Sequence, residues 1–349
     1  MTFQHAIWMT KAELTAAAHA AIIMGLLDSW SRCRRKRPPT PHEPDLVAGL
    51  VLESTPLMWR AFSQILEPFG ISLSLFSVYC HQTPKVRYPG ISKTSTEVGD
   101  LLVVHIHRAS NGRFSRNALL YQAKAASNQP YEVPASERHQ LRLYTEWPEF
   151  EYYRSPPLTG KKRSVVPHAP HLGAQYLLID NRHPADPRSG FQLLEGTYPI
   201  GSCIADAFLN DHNHLAAEIV DFFRSRSGRH FEGGPNDAPV DGWSHLVWDL
   251  LRGSLTKVFN RRRSGRRNAP RASGTEVHLL DGNFVSRSAG PLPPSTMVDL
   301  FGIEGARLLL EGGGDGPIRR KAQDDDFEPE SGISLILFET SETGEESRQ

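Results

Sequence analysis

The chain has 349 residues, of which 39% are hydrophobic and 22% are charged. These proportions exclude wholesale disorder and predict one large domain with additions, or two domains. Lysine plus arginine and aspartate plus glutamate number 39 each, so the mean charge gives no information about partners. The distribution of charge says more, because basic residues cluster at 32–37 and 261–267 and acidic residues cluster at 324–330 and 342–346.

The cysteines and the N-terminal apolar run indicate in which compartment the protein resides. Cys33, Cys80 and Cys203 are odd in number and widely separated, which argues against a disulfide framework or a cysteine zinc site and predicts a reducing, cytoplasmic compartment. The apolar run 14–27 is interrupted by His19, and its positive cluster follows it. A signal peptide has the opposite order, so we expect an amphipathic helix packed on the protein and no membrane partner.

The sequence up to residue 190 predicts a mixture of helices and strands. A helix over 10–30 precedes a basic, proline-rich break, and a second helix over 45–70 ends at Pro68 and Gly70. The elements that follow are strands at 71–80, 99–108 and 117–126, a helix at 134–147 and a strand at 173–180. The predicted order is therefore helix, strand, strand, strand, helix, strand, with the strands at 99–108 and 117–126 forming a hairpin.

The composition changes after residue 190. Two helical runs, 202–226 and 243–260, are separated by a glycine-rich segment, and short β candidates follow at 276–280 and 332–340. We predict an α/β (α+β) fold in three parts. These are an N-terminal helix and basic linker at 1–39, a core at 40–185, and a helical region with short strands and an acidic tail at 186–349. The last strand could belong to either sheet.

Two polar side chains interrupt the apolar strand 117–126. Gln122 and Lys124 are two positions apart, so they share one face of the strand. Asp100 begins the preceding strand of the hairpin, which can bring its carboxylate next to that pair. A carboxylate and an amide oxygen are hard ligands of the kind that Mg²⁺ prefers. A lysine beside such an ion can orient or deprotonate the attacking water and offset charge that builds on a phosphate.

This arrangement resembles the PD-(D/E)xK, or restriction endonuclease-like, nuclease superfamily, whose αβββαβ core has the element order given above. The family signature looks like Gly99-Asp100 followed by Gln122-Ala123-Lys124. Glutamine in place of the acid resembles the Q-x-K variant of Mrr-type restriction enzymes and some phage-defence nucleases. It brings no charge, so the site would hold a cation less tightly than a site with two acids. The resemblance covers about 150 of the 349 residues.

Two further matches extend the resemblance. Gln140 and Tyr144 look like the Q-x-x-x-Y element on the helix after the third strand of RecB-like nucleases. The resemblance implies that they support the site or touch the nucleic-acid strand. Glu53 is placed like the extra helical glutamate that several members use as a metal contact.

The resemblance implies a Mg²⁺- or Mn²⁺-dependent endonuclease that hydrolyses DNA by in-line attack of water and leaves a 5′-phosphate. Asp100, Gln122 and Glu53 would hold the metal, and Lys124 would act on the water and the developing charge. A role in restriction or anti-phage defence fits the Q-x-K subgroup. A homodimer or partner proteins of a defence system would then be the partners besides DNA.

Two alternatives stay open. The fold could serve an RNA or tRNA endonuclease, for which the aromatic segment 146–154 would supply stacking groups. It could also be a non-catalytic nucleic-acid-binding subunit of a defence complex. The run 257–271 contains seven basic residues and no acidic one, which is typical of a nucleic-acid contact or of a solvated surface. The candidate contact residues in that run are Arg261, Arg262, Arg263, Arg266 and Arg267.

Overall fold

The structure is a computed structural model, and its elements are numbered here in chain order. It describes residues 2–34, 39–80, 84–91, 95–192, 198–234, 241–264, 276–281 and 332–342. The helices are α1 (Phe3–Met9), α2 (Lys11–Cys33), α3 (Glu43–Ala48), α4 (Thr55–Leu66), α5 (Arg138–Glu146), α6 (Leu215–Phe223) and α7 (Gly242–Ser264). A π-helical segment, Gly49–Ser54, joins α3 to α4.

The strands are short except for those of the main sheet. The first seven are β1 (Ile71–Tyr79), β2 (Lys85–Arg87), β3 (Thr96–Glu97), β4 (Leu101–Arg108), β5 (Phe114–Ala126), β6 (Tyr131–Glu132) and β7 (Phe150–Tyr152). The others are β8 (Lys162–Arg163), β9 (Ala174–Asp180), β10 (Ile200–Ile204), β11 (Phe208–Leu209), β12 (Asn213–His214), β13 (Arg229–His230), β14 (Glu276–Asp281) and β15 (Ser334–Glu342).

A large mixed sheet forms the centre of the molecule, so the expected α/β class is confirmed. Among the described residues its strand order is β12-β10-β9-β5-β4-β15-β1-β14, and β13 also pairs with β5. The predicted hairpin is present, because β4 and β5 pair antiparallel from Leu101 opposite Tyr121 to Arg108 opposite Phe114. Two smaller sheets, β3-β2-β7-β8 and β11-β6, lie outside this order.

The C-terminal strand β15 lies inside the main sheet. It runs parallel to β4 and antiparallel to β1, and it separates these two strands. The sheet also takes β10, β12, β13 and β14 from the part of the chain after residue 186. The predicted boundary at residue 185 therefore falls within one sheet. The predicted helical run 202–226 needs correction, because it holds the end of β10, then β11 and β12, before the shorter helix α6.

The two faces of the main sheet are covered by different helices. On β5, Ala118 and Leu120 face one apolar core, which includes Trp147 and Trp243 from the end of α5 and from α7. Leu119 and Tyr121 face the opposite core, which holds side chains of α2, α4 and α6. This alternation follows from the period of two along a strand, and it puts both faces of β5 in contact with protein.

The N-terminal apolar run forms part of α2 and packs as an amphipathic helix, as predicted. Leu14, Ala18, Ile22 and Leu26 recur every fourth residue and are buried. Within the described residues, no helix has the length and apolar character that crossing a membrane requires. Ser29, near the end of α2, donates a hydrogen bond to the Asp45 carbonyl 2.9 Å away, which ties α2 to the start of α3.

Candidate metal and catalytic centre

Asp100 lies where the β4–β5 ladder begins, and its carboxylate is turned towards β5. Its backbone N–H donates to the Tyr121 carbonyl at 2.8 Å. The N–H of Ala123 donates to Asp100 Oδ2 at 2.8 Å, and Gln122 Nε2 donates to the same oxygen. The sequence prediction that Asp100 and Gln122 meet across the hairpin is thus matched by the geometry.

Lys124 completes this group on the same face of β5. Its Nζ donates to Gln140 Oε1 at 2.9 Å and lies 3.0 Å from Glu137 Oε2 and 3.9 Å from Glu43 Oε2. Burial by itself lowers the pKa of Lys124, but Glu43, Glu137 and Asp100 outweigh it and hold the pKa above its ordinary value. Lys124 is therefore a cation at neutral pH, which favours orienting water and balancing negative charge over removing a proton.

Two carboxyl groups near Lys124, those of Asp100 and Glu43, have raised pKa values. Burial, reinforced by Glu43 and Glu97, raises the pKa of Asp100 well above its ordinary range. Burial also raises the pKa of Glu43 to about 7, with Glu137 and Glu97 adding to the rise and Lys124 opposing it. Negative charge therefore accumulates on Asp100 and Glu43 as the pH rises.

Tyr144 anchors the segment that carries Asp100. Its hydroxyl donates to the Val98 carbonyl at 2.9 Å. A Cβ placed on Gly99 would lie 2.8 Å from that hydroxyl and 2.8 Å from Leu120 Cδ1, so only glycine allows this approach. Tyr144 is 1% exposed. The expected contact of Tyr144 with nucleic acid is therefore corrected: it positions the site from within the core, whereas Gln140 contacts Lys124 directly.

Glu53 does not take the place that the sequence prediction gave it. It pairs with Arg32 of α2 and lies ten residues beyond Glu43, in the π-helical segment after α3. Glu43, in the first turn of α3, is the helical glutamate next to Lys124 instead. The missed signal was Pro44 directly after Glu43, since proline and acidic residues are favoured in the first turn of a helix.

The candidate nucleic-acid contacts of the basic run lie at the end of α7 and in the segment after it. Arg261, Arg262 and Arg263 belong to the last turn of α7 by their backbone. Arg266 and Arg267 lie outside the described residues.

The aromatic segment proposed for RNA stacking is largely buried. Trp147 and Tyr152 are fully buried and Phe150 is 2% exposed. Among the aromatic residues of this segment, only Tyr153 is partly exposed. The segment therefore offers one stacking ring to RNA instead of the several that were expected.

The oxygen atoms of the site suit a hard divalent cation. Both hydrogen bonds to the Asp100 carboxylate end on Oδ2, so Oδ1 has no protein donor among the described residues. The Gln122 amide oxygen Oε1 is buried and has no hydrogen-bond partner there either. A buried polar atom without a partner is costly, and a cation would satisfy it. The described residues contain no cluster of three His, Cys, Asp or Glu residues with metal-binding geometry. A metal bound here would therefore need the amide oxygen of Gln122 as one of its ligands.

The searches of family models, of curated proteins and of solved structures all find no match to this chain.

Proposed function

We propose that the protein is a divalent-cation-dependent nuclease that hydrolyses DNA phosphodiester bonds, with its centre at Asp100, Gln122 and Lys124. The observation that carries this proposal is the hydrogen bond between Gln122 and the Asp100 carboxylate at one end of β4 and β5, with the Lys124 charge acting on the same carboxylate and an unpartnered amide oxygen beside it. Gln122 and Lys124 follow Asp100 by 22 and 24 positions in the chain, yet both act on its carboxylate. Structural stability alone gives no reason for that convergence, since buried polar groups are costly.

Asp100 Oδ1 and Gln122 Oε1 would hold Mg²⁺ or Mn²⁺, and the carboxylate of Glu43 is near enough to Lys124 to join them. When bound, such an ion acidifies water and withdraws charge from a phosphate oxygen. Lys124, fixed by Glu137 and Gln140, keeps a positive charge at the site that can hold a phosphate and balance the charge of the transition state. Asp100 must lose its proton before it can act as a ligand.

The resemblance to Q-x-K nucleases extends the proposal to a role in restriction or anti-phage defence, in a cytoplasmic setting. The three cysteines are buried and none of them forms a disulfide, as a reducing compartment allows.

A non-catalytic nucleic-acid-binding subunit is the second candidate, and one observation favours it. Lys124 already has two close partners, Glu137 and Gln140, and Gln122 supplies no charge to a cation. Such a site could keep its shape without turning over a substrate.

An assay on plasmid DNA and total RNA, with Mg²⁺, Mn²⁺ or EDTA, separates the candidates. The nuclease predicts divalent-dependent cleavage of DNA that Lys124→Ala reduces by about a hundredfold or more. Lys161→Gln, at an exposed lysine of the loop before β8, is the matched control and should cleave like the unmodified protein. Cleavage that persists in EDTA or in Lys124→Ala contradicts the mechanism, and binding without cleavage under every condition favours the second candidate.

A further inference from the structure

A second group of residues with the chemistry of a nucleic-acid contact lies at the turn between β4 and β5. We propose that residues 108–116, called the basic hairpin, bind single-stranded DNA, with a base stacked on Phe114 and phosphates held by Arg108, Arg113 and Arg116. This inference rests on the proposed function for the choice of DNA, but its evidence comes from a different part of the sheet.

Phe114 is an exposed aromatic side chain set between two guanidinium groups. It is 42% exposed although it belongs to a strand. Arg108 lies directly opposite Phe114 in the ladder, and its Cζ is 5.9 Å from the ring centroid. Arg116, two residues further along the same face, is 5.3 Å from it. A ring flanked by cations is suited to an unpaired base whose phosphates lie on either side.

The arginines of the basic hairpin have no carboxylate partner in the part of the chain that the structure describes. Glu342 lies beside the turn, but its carboxylate accepts hydrogen bonds from the N–H groups of Ser110 and Phe3. Glu342 also lies 3.7 Å from His107. Arg108 and Arg113 are exposed and Arg116 is partly exposed. Arginines that are not neutralised within the protein can release counterions when they bind phosphates.

The turn is held in one shape without a ligand. The N–H of Ala109 donates to the Arg113 carbonyl at 2.9 Å, and the N–H of Arg113 donates to Asn111 Oδ1 at 3.0 Å. Gly112 has a φ of +79°, which this tight turn requires. A preorganised contact surface loses less conformational entropy when it binds.

The basic hairpin and the candidate centre belong to the same face of the same strand pair. Phe114, Arg116, Gln122 and Lys124 are even-numbered positions of β5, and its register is uninterrupted, so they share one face. Six residues separate Arg116 from Gln122, which is about 20 Å at 3.3 Å per residue. One DNA strand must therefore span about 20 Å to reach both places, so the hairpin would hold substrate remote from the bond that is cut.

Fluorescence anisotropy with a labelled 20-nucleotide single-stranded DNA in EDTA tests this inference without cleavage. Phe114→Ala should weaken binding about tenfold, whereas Phe114→Tyr, which keeps a stacking ring, should bind within about twofold of the unmodified protein. The triple variant Arg108→Gln, Arg113→Gln, Arg116→Gln should lower the slope of log Kd against log salt by about 2. Arg60→Gln, on the exposed side of α4 under the opposite sheet face, is the charge control.

The inference is overturned if the Phe114→Ala and triple-arginine variants bind like Arg60→Gln, or if the unmodified protein does not bind the oligonucleotide. Loss of binding in the hairpin variants without any cleavage by the unmodified protein would support the hairpin and count against the nuclease. Cleavage by the unmodified protein with hairpin variants that bind normally would support the nuclease and count against the hairpin.

Discussion

The balance between one lysine and several carboxyl groups determines the state of the candidate centre. Lys124 is surrounded by Asp100, Glu43 and Glu137, and burial with mutual repulsion raises the pKa of the first two of these acids. In the metal-free protein, Asp100 and Glu43 keep their protons to a higher pH than isolated acids do, so the net charge of the site depends on pH. A divalent cation would compete with those protons, and its affinity should increase as the pH rises.

Glu43→Gln should remove part of the pH dependence of stability in the metal-free protein. The pKa of Glu43 rises from an ordinary 4.5 to about 7 on folding, so its contribution is fully present below 4.5 and is lost as the pH rises through about 7. Thermal unfolding in EDTA should therefore show the unmodified protein losing more stability than Glu43→Gln between pH 4.5 and 7.5. Equal losses in both proteins would show that Glu43 titrates normally in the folded state.

At the scale of elements, α5 and the β4–β5 pair position the centre together. Tyr144 and Gln140 are one helical turn apart, and they hold the Val98 carbonyl and the Lys124 ammonium respectively. Gly99 permits the close approach of Tyr144 to the start of β4. Movement of α5 would shift Asp100 and Lys124 at once.

Tyr144→Phe should destabilise the protein by about 1 kcal/mol, because the buried Val98 carbonyl loses its donor while the ring packing is kept. Urea denaturation gives the change in the free energy of unfolding. The comparison is Tyr153→Phe, at a partly exposed tyrosine whose hydroxyl makes no hydrogen bond to other described residues, where little change is expected. A Tyr144→Phe protein as stable as Tyr153→Phe would contradict the anchoring role.

Local patterns were sufficient to predict some of these elements and not others. The alternation of residue types along β4 and β5 predicted the hairpin, and the hairpin predicted that Asp100, Gln122 and Lys124 lie near one another. Glu53 lies in the predicted helix 45–70 and Glu43 lies just before it. Only their tertiary contacts, with Arg32 and Lys124 respectively, show which of them is at the candidate centre. The run 202–226 was expected to be one helix, yet Ile200–Ile204 pairs with β9, and such pairing outweighs local helical preference.

At the scale of the whole molecule, the position of β15 makes the sheet depend on both ends of the chain. Leu335 and Leu337 face one core, and Ile336 and Phe338 face the other. The strand pairs with β1 and β4, which are more than 220 residues earlier in the chain. Pairing over that separation leaves no local signature, so the sequence predicted a strand near 332–340 but not its place.

A chain that ends at residue 331 should not fold cooperatively. It would lose five buried apolar side chains, Ile333 and the four named above, each worth about 2–5 kcal/mol, and the central hydrogen-bond partners of β1 and β4. Calorimetry should show no cooperative transition, and supplying residues 332–342 as a separate peptide should restore one. A truncated chain that unfolds cooperatively at the temperature of the full chain would show that β15 is dispensable.

Binding of Mn²⁺ tests most directly whether Asp100 and Gln122 form a divalent-cation site beside Lys124. Isothermal titration at pH 7.5 should give saturable binding to the unmodified protein. Asp100→Asn preserves acceptors for the Ala123 and Gln122 donors but should lower the affinity about tenfold or more, and Glu53→Gln should leave it unchanged. Equal Mn²⁺ affinity in Asp100→Asn and the unmodified protein, or no binding to either, would contradict the proposed centre.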